Sequence, residues 1–193
     1  MALACEASDG VPLNFMDIRT PVIIELEFMG SNENFLNILE CWSTQKGGFK
    51  YQMMAFRDAT RTRSMKAWAE GVLQYVTRID SWVGTYKNTM FDEYNISIRS
   101  TEWTDDLSVY SIKAGCKILT YITEINAWLD GVTRNLHQIR NASLLREATH
   151  PTPLNQVLMA WSGTALNEVD KLGGHLDTHA ERIKAYLKLS STM

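Results

Sequence analysis

From Met65 onward, large apolar side chains return every three or four residues: Met65, Trp68, Val72, Tyr75, Ile79, Trp82 and Tyr86. That spacing keeps one face of a 3.6-residue helix apolar, and it predicts a helix about two dozen residues long. The same alternation at Ile118, Ile122, Ile125, Leu129, Val132, Leu136 and Ile139 predicts a second long helix. Thr104 would start it, because the carboxylates of Asp105 and Asp106 meet the positive amino-terminal end of the dipole. Gly115 and Gly131 are the places where it would kink. Pro153 is well placed to open a third helix carrying Leu154, Leu158, Trp161, Ala165 and Leu172, with Gly173 and Gly174 as its end. A last helix carries Leu176, Ile183 and Leu187.

The remaining segments are shorter. Ser31 and Asn32 are cap residues for a helix bearing Phe35, Leu36, Ile38, Leu39 and Trp42, ended by Gly47-Gly48, and another short helix covers Lys50 to Thr60. Gly10, Pro12 and Pro21 make the first twenty residues an extended arm, since the residue before a proline avoids helical angles. The run after Pro21 fits a helix or a strand. Residues 91–104 interrupt the helical pattern and admit a strand at Ile96 to Ile98. The expected fold is therefore all-α, with roughly seven helices in two packed helical lobes, 1–93 (arm 1–20) and 104–193, the latter broken by proline at 149–153. A short strand or hairpin is expected near the N-terminus or at 94–99.

Composition narrows the class. A chain of 193 residues with 45% hydrophobic and 21% charged residues has the makeup of an ordinary folded domain rather than a disordered one. Cys5, Cys41 and Cys116 are odd in number and widely spaced, so neither a disulfide framework nor a CxxC knuckle is expected, and the natural compartment is reducing. The N-terminus lacks a basic leader and an apolar core, and no stretch approaches the ~18 apolar residues of a spanning helix. An intracellular protein without signal peptide or transmembrane segment is expected.

Catalytic chemistry finds little support. There is no G-x-S-x-G, no phosphate-binding glycine loop and no dinucleotide fingerprint, so neither an enzyme nor a small-molecule substrate nor a cofactor is expected. His175 and His179, at i and i+4 with Asp177 between them, are the weak metal candidates; a zinc site needs a third ligand that no motif supplies. Trp68, Trp82, Trp128 and Trp161 lie on or beside the apolar stripes and are expected in the core, whereas Trp42 and Trp103, nearer helix ends, are candidates for an interface.

Charge is more informative. Between residues 46 and 66 stand six cations, Lys46, Lys50, Arg57, Arg61, Arg63 and Lys66, against one carboxylate, Asp58, in a chain whose net charge is -3. The first 45 residues are acidic: seven carboxylates outweigh Arg19. A basic stretch in an acidic protein is a candidate contact for lipid or nucleic-acid phosphate. Arg134, Arg140 and Arg146 form a secondary basic set that would extend the patch if folding brings it alongside. The competing expectation is that the acidic N-terminal part neutralises these cations within the molecule. Opposite ends on different copies would also favour head-to-tail self-association.

Helix after helix without a catalytic motif, the basic run RDATRTRSMK at 57–66, a break between the long helices and the tail HAERIKAYLK at 179–188 together resemble the orthomyxovirus matrix proteins, in size the shorter fish-virus (isavirus) type. The resemblance implies a structural protein that lies peripherally on the inner face of a membrane or viral envelope. It implies polymerisation with copies of itself and contact with anionic lipid and ribonucleoprotein through Arg57, Arg61, Arg63 and Lys66, with Lys46 and Lys50 nearby. At a pI of about 5.8 the chain is less basic than the family's better-known members, so attachment would rest on local charge. A helical adaptor that binds a protein partner by one helix face is the alternative expectation.

Overall fold

The computed structural model describes residues 15–99 and 106–191, with side chains in 26–89, 111–189 and 191. These residues form four long helices and one short one: α1 (Phe15–Thr44), α2 (Phe49–Ala59), α3 (Arg63–Arg99), α4 (Asp106–Thr149) and α5 (Pro153–Ser191). The all-α expectation holds. The count of roughly seven does not, and there is no strand among the described residues. Ile96 to Ile98, expected as a strand, lie in the last turn of α3, which ends at Arg99. The expected arm is helical from Phe15, so Pro21 sits inside α1, where its ring withholds a backbone donor. Residues 1–14, and 100–105 with the Thr104 start and Trp103, lie outside the described residues.

The helices run on because the apolar phase runs on. Phe28, Asn32, Phe35, Leu39 and Trp42 keep spacings of three and four across Ser31-Asn32, all of them buried, so these two residues are interior to α1 rather than caps. The Ser31 hydroxyl donates back to the Phe28 carbonyl at 2.7 Å. Val169, Leu172, Leu176, Ala180 and Ile183 likewise keep phase through Gly173-Gly174, and α5 passes both glycines. Each glycine costs about 1 kcal/mol relative to alanine in a helix, which is less than the burial of the flanking side chains contributes. True stops occur at Gly47, whose φ of 76° suits glycine, at the extended Thr60, and at His150–Thr152.

Cross-contacts fix the directions. The Ser43 hydroxyl donates to the Asp80 carboxylate at 3.3 Å and Lys87 Nζ to Glu40 at 2.9 Å, so α1 and α3 are antiparallel. Tyr75 stacks on Trp128 at 4.4 Å and Trp82 meets Tyr121 at 3.8 Å, which makes α3 antiparallel to α4. Helices α4 and α5 form the most extensive pairing. Phe28 on Tyr186 at 3.8 Å, Phe35 on His179 at 4.3 Å and Trp42 Nε1–H donating to the Glu168 carbonyl at 3.1 Å close the ring between α1 and α5.

The result is an up-down-up-down bundle of four helices. Helix α2 continues the course of α1 past Gly47: Phe56 stacks on Trp161 at 4.3 Å, and Trp161 Nε1–H donates to the Gln52 carbonyl at 2.8 Å. One hydrophobic core draws side chains from all five helices and crosses the expected boundary between 1–93 and 104–193.

All seven apolar positions of the α4 stripe, Ile118 to Ile139, are buried. Trp68, Trp82, Trp128 and Trp161 are partly buried against the core. Trp42, expected at an interface, is instead 6% exposed and packs between Phe49 and Trp128. No helix among the described residues is long and apolar enough to cross a membrane.

Candidate functional site

The bundle axis gives the charged residues an address. Moving from Phe49 to Phe56, α2 runs from the level of Trp128 to that of Trp161, so the α2–α3 turn at 60–62 lies at the same end of the bundle as the α4–α5 corner at 150–152. Helix α3 then leads back from Trp68, beside Phe56, toward Trp128. Arg61, Arg63 and Lys66 stand at this corner end, all exposed. Arg140 and Arg146, on the last third of α4, approach the same end, with Arg134 less than two helical turns behind Arg140. The primary and secondary basic sets, separate in sequence, therefore share one pole of the molecule.

The other cations of the primary set are placed differently. Lys46 is exposed in the α1–α2 turn and Lys50 half-buried in the first turn of α2, about 15 Å from the α2–α3 turn at 1.5 Å per residue. Arg57 is engaged: its Nε–H donates to Asp58 at 2.9 Å. The other five, and Arg134, Arg140 and Arg146, pair with no carboxylate among the described residues. Arg134 makes only a local bond, to the Asp130 carbonyl at 3.3 Å. The described acids of the N-terminal part do not reach them: Glu40 holds Lys87, and Glu27 and Glu33 flank Phe28 and Phe35, which pack at the levels of Tyr186 and His179, away from the corner.

The histidine pair resolves into two unlike residues. His175 is exposed. His179 is 3% exposed, stacks on Phe35, and its Nε2–H donates to Asn32 Oδ1 at 2.8 Å. Burial, and secondarily the nearby Arg182 guanidinium, lower its pKa to about 4, because a charged imidazole there would be both desolvated and repelled. Among the described residues no three His, Cys, Asp or Glu side chains come together as a metal would require. The i, i+4 spacing thus records a buried polar pair with Asn32, which sequence could not reveal because the partners are 147 positions apart.

The corner falls where the sequence places it, in the proline break at 149–153 with Pro153 opening the next helix; the apolar surface around it was not expected. Thr152 caps α5, its hydroxyl accepting the Asn155 N–H at 3.3 Å, with Pro153 in the first helical position. Glu147 accepts from the Thr152 N–H at 3.2 Å and from the Gln156 amide at 2.9 Å. Around this closed turn, Leu145, Leu154 and Val157 are 72%, 65% and 62% exposed. Leu154, expected on the apolar stripe with Leu158 and Trp161, is exposed instead: its spacing is in phase, but no other helix covers this end of the stripe. Comparison with known protein families, curated proteins and solved structures finds no match to this chain.

Proposed function

We propose that this chain is a structural, self-associating protein of the matrix type that lines an anionic surface, lipid or ribonucleoprotein, through the cationic corner end of its bundle. One observation carries the reading: Arg61, Arg63 and Lys66, with Arg140 and Arg146 at the same pole, are exposed and have no carboxylate partner among the described residues. Each such residue contributes about 1 kcal/mol near an anionic membrane. Single copies therefore hold weakly, and linked copies hold firmly because multivalency multiplies avidity without new contacts.

Co-sedimentation with vesicles of phosphatidylcholine, with and without phosphatidylserine, tests the reading. Binding requires the anionic lipid and weakens as salt is added. The double variant Arg61→Glu/Arg63→Glu loses at least tenfold in affinity, as expected for about 1 kcal/mol per charge over two full reversals, with an unchanged helical CD spectrum. Equal binding by that variant would remove the corner cations from the account.

A further inference from the structure

We propose that the α4–α5 corner is an apolar wedge that enters the headgroup region of an anionic bilayer, so that the bundle stands on the membrane by this end rather than lying along it. The inference rests on the anionic-surface reading above and adds an orientation and an insertion step to it.

Four of the seven exposed large hydrophobic side chains among the described residues, Leu144, Leu145, Leu154 and Val157, fall within two helical turns of the corner. Clustering of this kind on a folded surface marks an interaction site, whereas isolated exposed leucines do not. The chain from Ala148 to Asn167 carries no Asp, Glu, Lys or Arg. On the α5 side, Leu154 and Val157 can therefore enter a lipid boundary without dragging a neighbouring charged side chain with them, while on the α4 side Leu144 and Leu145 adjoin Arg146 and Glu147.

The backbone of the corner is prepared for the same step. His150 N–H donates to the Arg146 carbonyl at 2.7 Å, Thr152 N–H to Glu147, Asn155 N–H to the Thr152 hydroxyl, and the Asn155 amide to the His150 carbonyl at 3.3 Å. A turn whose polar groups are already bonded within the chain loses little when water is replaced by headgroups. Glu147, at the end of α4, accepts two of the corner's hydrogen bonds instead of standing free.

The surrounding charge selects the occupant. Arg140 and Arg146 on α4, and Arg61, Arg63 and Lys66 at the α2–α3 turn and the start of α3, put exposed positive charge at the same end of the bundle as the apolar tip. Two copies meeting corner to corner would bring like charges together, which opposes a dimer at this face, whereas lipid phosphate and serine carboxylates attract it. An apolar tip with cations at its own end of the bundle is a combination that an anionic bilayer fits.

The test uses the full chain and vesicles of phosphatidylcholine with phosphatidylserine. The variant Leu145→Ser/Leu154→Ser/Val157→Ser keeps every charge and alters only exposed positions. We expect it to bind roughly tenfold or more weakly, with the loss persisting at high salt, because the apolar contribution is not screened. Leu154→Trp is the complementary variant. It binds at least as well as the parent, and brominated lipid quenches its fluorescence beyond that of the parent chain. Parent-like binding by the triple serine variant, or no added quenching for Leu154→Trp, would overturn the wedge; loss of binding by Arg61→Glu/Arg63→Glu in the same assay would leave the anionic-surface reading standing. No binding of the parent chain to anionic vesicles would overturn both. A change in sedimentation of the triple variant without lipid, and none in its vesicle affinity, would reassign the corner to contact between copies and overturn the wedge.

Discussion

Along the α1–α5 seam, Asn32 and His179 enter the interior as a hydrogen-bonded pair, while at the corner end Arg61, Arg63, Arg140 and Arg146 are exposed with no ion-pair partner among the described residues. The seam holds the residues that look most like chemistry in the sequence, and packing absorbs them. The corner holds a run of common charges and a few leucines, and packing leaves them unused. Interaction capacity left over after folding marks a surface for recognition better than the residue types themselves do. The two regions also differ in how they respond to substitution, since a seam residue acts on stability and a corner residue acts on binding.

Gly115 gives the largest expected separation between them. A Cβ built there would lie 3.0 Å from Phe28 Cζ and 3.3 Å from Ile183 Cγ2, and the Phe28 ring is held by its stack on Tyr186. Gly115→Leu forces a branched side chain into that contact and lowers stability by about 3 kcal/mol, as overpacking of a closed core does. Urea unfolding at neutral pH measures it. A stability within about 1 kcal/mol of the parent would mean that the seam can open, contrary to its close packing.

Acid gives the next largest effect, again through the seam. The folded pKa of His179 is lowered to about 4 from 6.5, so as pH falls below 6.5 the unfolded chain takes up a proton that the folded chain refuses. Stability is then full above pH 6.5 and declines until pH reaches about 4; about 2 kcal/mol is gone by pH 5. His179→Gln retains an amide able to bond Asn32 and cannot titrate. Its denaturation midpoint, followed against pH, should therefore lack this part of the decline, and parallel slopes for parent and variant would show that His179 is already charged or already hydrated in the fold.

Phase explains what the sequence allowed to be read. The stripes of α3 and α4 were legible because three-and-four spacing of Ile, Val, Leu and aromatic residues depends on local geometry alone. The extra breaks expected at Ser31-Asn32 and Gly173-Gly174 came from reading cap and glycine signals without asking whether the apolar phase continues through them, as Phe28–Trp42 and Val169–Ile183 do. The strand expected at Ile96 to Ile98 followed the interruption of the apolar pattern from residue 91, yet α3 continues through it to Arg99. The basic set was legible as composition. Its division, with Lys46 and Lys50 apart from Arg61, Arg63 and Lys66 and with Arg140 and Arg146 joining the latter, depends on the antiparallel order of α3, α4 and α5, which no local pattern encodes.

The smallest effect sharpens the comparison from the corner side. Arg61 and Arg63 are exposed and without ion pairs among the described residues. Arg61→Ala/Arg63→Ala should therefore change folding stability by no more than about 0.5 kcal/mol, because the substitution breaks no ion pair and uncovers no core. Screening identifies its origin: whatever difference remains between parent and variant should shrink as salt rises, since interactions of exposed charges fall off within a Debye length of about 10 Å at 0.1 M and less above it. Paired thermal melts at low and high salt measure both quantities. A loss of more than about 1 kcal/mol that salt does not alter would make the two arginines part of the packing, like the polar pair of the seam, and the corner would then have no unspent charge to offer an anionic surface.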